Sequence, residues 1–187
     1  MEQNSARPLA TGLTILGGAA RLAQNLNFAP VGALSLFAGA RLRGWKAYLL
    51  PLALMAVTDP LVTLRYGYPL RNAYSFATPF IYASFLIYVW IGSRLRRTEN
   101  PGWIGAGAIA GAVQFFLLTN FGTWLAPGSQ YGHTLGGLVT CYIAAIPFFR
   151  NTMISDLAFA AAFFGLHAVL SRVAVRSERV AVQAQTA

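Results

Sequence analysis

The sequence predicts an all-α membrane protein: a compact bundle of about six transmembrane helices with an extra short helix on its outer side. Three observations predict it. Hydrophobic residues make up 56% of the 187-residue chain and charged residues only 10%, where a soluble domain carries about 25% charged residues. The apolar residues fall in runs that can be set against a hydrocarbon core of about 30 Å, which takes roughly 20 helical residues to cross. The basic residues cluster in the short stretches between those runs, and such clusters order segments across a bilayer.

Taken in order, residues 1–8 form a polar N-terminal segment. They lack the charged, apolar and small-residue succession of a cleaved leader, so the first apolar helix is expected to stay in the mature protein. Leu9–Gln24 is that helix, with Gly17, Gly18, Ala19 and Ala20 giving it a small-sided face. Val31–Arg41 is short, bounded by Pro30 and the basic turn Arg41–Lys46. Ala47–Leu64, Tyr74–Ser93, Trp103–Leu125 and Met153–Leu170 approach or meet spanning length. Within the fifth of these, Gly107 and Gly111 form a Gly-xxx-Gly pair, which suits either close packing inside the bundle or a docking face for another membrane protein. Leu135–Phe149, bounded by Gly136–Gly137 and Pro147, is read as an outer-side helix that does not cross. Residues 9–170 are thus the transmembrane domain, and 171–187 a solvated, partly disordered cytoplasmic tail.

Charge placement sets the orientation. With a cytoplasmic N-terminus and a crossing Val31–Arg41, the cytoplasmic side holds Arg7, Arg41, Arg43, Lys46, Arg94, Arg96, Arg97, Arg172, Arg176 and Arg179. The outer side keeps Arg21, Arg65, Arg71 and Arg150, and both termini are cytoplasmic. Seven crossings, with Leu135–Phe149 spanning, would move the C-terminal arginines outside and weaken the bias.

Several function classes lose their footing here. The net charge of +9 does not indicate nucleic acid, because the basic residues lie between apolar runs and not along one face. The single cysteine, Cys141, excludes an intramolecular disulfide. No phosphate loop, no His-Glu-xx-His and no nucleophile elbow is present, and the histidines, His133 and His167, are too few for a zinc site. No cofactor is implied, and an enzymatic role has no support.

Polar residues in a lipid-embedded chain are informative, because an unpaired charge in hydrocarbon costs about 3 kcal/mol even on lenient scales. In the orientation above they gather at the outer ends of the helices. Asn27, Asp59, Tyr68, Asn120, Trp124, Tyr131, Arg150, Asn151 and Asp156 are the candidate ligand-binding residues, walls of aromatic rings with a few orienting polar groups. Asp59 is the sharpest, lying in Met55-Ala56-Val57-Thr58-Asp59-Pro60; an internal ion pair with Arg65 or Arg150 is the competing explanation. Asp156 equally suits a cap on the last helix. Trp124 and the tyrosines also suit interfacial anchoring.

Two stretches carry a resemblance. Asn27–Ala40, followed by a basic turn and a helix reaching Asp59, resembles the early part of S components, the substrate-binding membrane subunits of energy-coupling-factor transporters. Gly122-Thr123-Trp124-Leu125, Ala144–Phe149 and Asp156 are similar to the biotin-type members, although the Lys that follows the Asp in that type is missing here. As a whole the chain looks closest to a bacterial family of uncharacterised membrane proteins, marked by Asn-Phe-x-Pro-Val-Gly-Ala at Asn27–Ala33 and Thr-Asn-Phe-Gly-x-Trp at Thr119–Trp124. The resemblance implies an S-component-like bundle in the bacterial inner membrane, with an outward-facing pocket.

The expected function is binding of a small, vitamin-like solute for uptake. The expected partners are the lipid bilayer, the solute, and an energising transporter module or another membrane protein. A structural or assembly protein that binds another membrane protein is the alternative, and an intramembrane enzyme built on Asp59 or Asp156 a third reading. A channel fits less well, since no helix shows a continuous polar stripe.

Overall fold

Backbone in hydrocarbon must satisfy its own hydrogen bonds, and helices do so within one segment. The computed structural model describes the backbone of residues 2–23 and 29–186, and the side chains of residues 8–22, 29–177 and 183. The described residues form helices α1 (Glu2–Ala20), α2 (Val31–Arg41), α3 (Lys46–Arg65), α4 (Thr78–Arg94), α5 (Pro101–Leu125) and α6 (Leu135–Thr186), and no strand. Short 3₁₀ turns at Arg21–Ala23 and Leu70–Asn72 follow α1 and α3.

The shortest helix is the hub. Every residue of α2 from Val31 to Ala40 is buried, and α2 packs against all five other helices. Small residues make this possible. A Cβ on Gly39 would collide with the Val89 carbonyl, and one on Gly92 with the Leu36 carbonyl. At that crossing the backbones of α2 and α4 meet without side chains between them, the close approach that small residues permit in membrane helices. Phe37 completes the hub, with its ring 5.8 Å from Phe163 and 5.3 Å from Phe164 on α6.

Contacts along the bundle set the directions. α5 runs antiparallel to α6, from Asn120 beside Cys141 to Gly105 beside Leu157. α4 runs antiparallel to α5, from Phe80 beside Gly122 to Leu95 beside Gly107. α2 runs parallel to α6, with Ala33 at Asp156 and Phe37 at Phe164. One end of the bundle therefore collects the C-termini of α1, α3 and α5 with the N-termini of α2, α4 and α6. The opposite end carries Arg41, Arg43, Lys46, Arg94, Arg96 and Arg97.

The chain is an α-helical membrane protein, but its span count differs from the sequence expectation of about six crossings. Three helices are long and apolar enough to cross a membrane: Lys46–Arg65, Pro101–Leu125 and the Leu135–Ser177 part of α6. With 11 residues α2 reaches only about 16 Å, at about 1.5 Å per residue. The apolar part of α1, Pro8–Ala20, is also short, and α4 has 17 residues. Large apolar side chains face outward along the long helices, among them Leu49, Val57, Leu117, Ile143, Ile154 and Val169.

The structure bears on three further expectations. Leu135–Phe149 is not a separate outer-side helix, because it continues without a break into Met153–Leu170 as α6; the seven-crossing alternative, which needs a turn between them, falls with it. Pro147 sits inside α6, as Pro51 and Pro60 sit inside α3. A proline interrupts one backbone bond, which membrane helices tolerate where neighbours re-satisfy the freed carbonyl. Arg150 and Asn151 lie within α6 and face outward. The backbone after Ser171 is helical, since α6 continues to Thr186. Of the two readings of Gly107 and Gly111, close packing inside the bundle is the one seen, for a Cβ on Gly107 would press on Leu95 and one on Gly111 would strike the Tyr88 ring. Gly17 and Gly18 are likewise filled, by Phe163 and Leu34 and by Leu54.

Candidate functional site: a cavity holding two carboxylates

A short helix ending inside an apolar bundle leaves its first N–H groups without partners. Pro30, at the N-cap of α2, offers no side-chain acceptor. The acceptor comes from another helix. Asp156 of α6 is 2% exposed, and its Oδ1 accepts the Ala33 N–H at 3.1 Å. Its Oδ2 accepts the hydroxyl of Tyr88 on α4. Ser155 adds a bond from its Oγ to the Ala29 carbonyl at 2.9 Å. The carboxylate also complements the positive end of the α2 dipole. Gly32 is required beside it, because a Cβ there would overlap the carboxylate oxygens.

The second carboxylate is wired differently. Asp59 Oδ1 lies 2.6 Å from Arg21 Nη1, and the two side chains are 13% and 17% exposed. Asp59 Oδ2 accepts the Tyr82 hydroxyl at 2.7 Å. The same guanidinium nitrogen of Arg21 donates to Thr58 Oγ1 at 2.6 Å, and that hydroxyl donates to the Leu54 carbonyl at 2.7 Å. Asp59 therefore pairs with Arg21, and not with Arg65 or Arg150, which are exposed.

Both carboxylates line one cavity of about 300 Å³ between α2, α3, α4, α5 and α6. Its aromatic wall is Tyr82, Phe85, Tyr88 and Phe115; Arg21, Thr78, Thr152 and Ser75 supply further polar groups. Ala73, Ser75 and Thr78, from the α3–α4 connection and the start of α4, form the rim. That connection is tied down by a specific bond. Pro60 has no N–H to give the Ala56 carbonyl one turn earlier, and the Tyr74 hydroxyl donates to that carbonyl instead, at 2.8 Å.

Of the residues expected from sequence, the structure brings Asp59 and Asp156 together around this cavity. Asn27 lies outside the described residues. Asn120 bonds the Phe116 carbonyl of its own helix at 2.8 Å and lines a separate shallow cleft of about 220 Å³ between α5 and α6. Trp124 packs between Phe121 and His133 at the end of α5. Arg150 and Asn151 are exposed on α6, Tyr68 is exposed after α3, and Tyr131 is half-buried in the α5–α6 connection. None of these six lines the cavity. Asp156 caps α2, not the last helix, from within α6.

Sequence reasoning missed Arg21, Tyr82 and Tyr88 as site residues. A signal was present: Tyr82, Phe85 and Tyr88 recur every three residues, a spacing that keeps them near one face of α4. Among the described residues no group of three or more His, Cys, Asp or Glu side chains is placed to hold a metal ion.

Comparison with known proteins places this arrangement in a family. The chain belongs to DUF6580, a family of unknown function, whose model matches residues 1–180. No curated protein and no solved structure matches it. The expected membership of an uncharacterised membrane-protein family thus holds, while the likeness to S components finds no support.

Proposed function

We propose that this protein binds a small, partly polar organic solute in the cavity between α2, α3, α4, α5 and α6, and that it serves uptake of that solute across a membrane. The observation that carries the reading is the convergence of Asp59 and Asp156, from different helices, on one cavity of about 300 Å³. That volume falls at the lower end of small-ligand sites, and such sites combine apolar walls with a few placed polar groups. Ionisable residues inside a membrane bundle face cavities or partners and mark solute or ion routes. Basic residues concentrated at the far end of the bundle favour a cytoplasmic location for that end, with the rim at Ser75 facing outward. Movement of solute then needs a separate energising partner or a rocking of helices around the cavity.

The test is native mass spectrometry of the protein from its own membrane, joined to a thermal-shift screen of vitamin-sized solutes. A co-purifying small molecule that is lost in Asp59→Ala and Tyr82→Phe supports the reading. A broad panel with no ligand, together with an unchanged profile in both variants, overturns it. The alternative of an assembly protein predicts instead a co-purifying membrane protein. Its sequence basis is weaker, since the small faces of α1 and α5 are filled within the chain.

A further inference from the structure

The cavity wall carries three charged side chains, Arg21, Asp59 and Asp156. Asp59 has its counter-ion at 2.6 Å. Asp156 has hydrogen-bond donors in Tyr88 and Ala33, but no cationic side chain pairs with it among the described residues. Residues 24–28, between Arg21 and the start of α2, are Gln, Asn, Leu, Asn and Phe, none of them basic. An apolar bundle thus holds a site with one carboxylate in excess. An ionised carboxylate buried in low dielectric without a counter-ion is costly, and either a proton or a bound cation relieves it.

The shape of the site says which kind of cation. A carboxylate oxygen accepts more than one hydrogen bond, and each Asp156 oxygen has one protein donor here, so capacity remains on both. A bare divalent ion takes several oxygen ligands, usually with more than one carboxylate among them, and among the described residues no group of three or more His, Cys, Asp or Glu side chains is placed to hold one. Instead the wall beside Asp156 is aromatic: the rings of Phe85 and Phe115 lie 5.4 Å apart and those of Tyr88 and Phe115 6.4 Å apart, and all three residues line the cavity with Tyr82. Aromatic faces attract ammonium groups, and cages of them recognise organic cations.

We infer that the solute carries a cationic nitrogen, an organic ammonium held against Asp156 and the aromatic wall of Tyr82, Phe85 and Phe115. This deepens the solute-binding reading above and rests on it. The Arg21–Asp59 pair near the rim then orients the polar remainder of the molecule.

Calorimetry on the full chain in lipid nanodiscs tests it with three probes of one size and different charge: phenethylamine, 2-phenylethanol and phenylacetate. The amine is expected to bind about tenfold tighter than the alcohol, and phenylacetate weakest. Asp156→Asn, which keeps the shape and removes the charge, should bring the amine down to the level of the alcohol. Phe115→Leu, which keeps the wall apolar, should weaken the amine several-fold more than the alcohol and so shrink the amine preference; it decides the matter if Asp156→Asn does not fold. Alcohol or phenylacetate binding as tightly as the amine overturns the ammonium inference and leaves solute binding standing. So does an amine preference that survives Phe115→Leu and, where it folds, Asp156→Asn. Absence of binding by all three probes and by a broad solute panel removes both.

Discussion

Asp59 and Asp156 share a cavity but hold the molecule together in different ways. Asp59 sits near the rim with a guanidinium at 2.6 Å and keeps some contact with the outside. Asp156 sits at the buried start of α2, 2% exposed, and joins three helices through Tyr88 and Ala33. The difference teaches where each carboxylate has its effect. A charge at the rim that keeps its counter-ion and some exposure contributes modestly, because part of what is lost on its removal is regained elsewhere. A carboxylate that satisfies buried donors is needed for the fold itself, since its removal strands those donors in a dry interior.

The largest test is Asp156→Ala. It leaves the Tyr88 hydroxyl and the Ala33 N–H without their acceptor, and should destabilise the protein by about 3 kcal/mol or more, read as a shift in denaturant unfolding in detergent. A cost no larger than that of Asp59→Ala would break the comparison. Gly32→Ala approaches the same point by crowding. Its new methyl group displaces the Asp156 carboxylate from the N-terminus of α2, and overpacking of this sort costs about 2 kcal/mol. Stability equal to wild type would mean that the carboxylate has room to move and is not required in its place.

A double-mutant cycle sharpens the other side. Arg21→Ala and Asp59→Ala should each cost more alone than the second does in the background of the first. A coupling of about 1 kcal/mol is expected at this exposure, smaller at high salt. Zero coupling would show that the pair is incidental. The smallest effect belongs to Tyr74→Phe, which frees the Ala56 carbonyl beneath the rim. It should cost about 0.5–1 kcal/mol and raise hydrogen exchange selectively across residues 73–77, leaving the Asp156 region unchanged.

How far the site was legible depends on what each residue opposes. Asp59 and Asp156 stood out because each interrupts an apolar run, and a charge in such a run demands a partner whatever the fold. The identity of the partner was hidden. Arg21 and Asp59 are 38 positions apart in a chain, and only the packing of α1 along α3 brings them together. Asn120, Trp124, Arg150 and Asn151 share the same end of the bundle, yet helix rotation turns Asn120 to its own backbone and Arg150 outward. Placement at one end was readable from periodicity and topology; direction around each helix axis was not.

The sequence by itself determined that the chain is helical and lives in a membrane, because composition leaves too much apolar surface for water to bear. It also determined that two carboxylates would need internal company. Tertiary structure alone decided that the shortest helix is the centre, that Leu135–Thr186 is one rod, and that Asp156 serves the N-terminus of α2. The physical reason is that helix formation is a local matter of backbone bonds, so prolines and polar residues inside α6 give no reliable sign of a break. Which helix is surrounded depends instead on where glycines let two backbones touch, as at Gly39 and Gly92, and that contact exists only once both helices are in place.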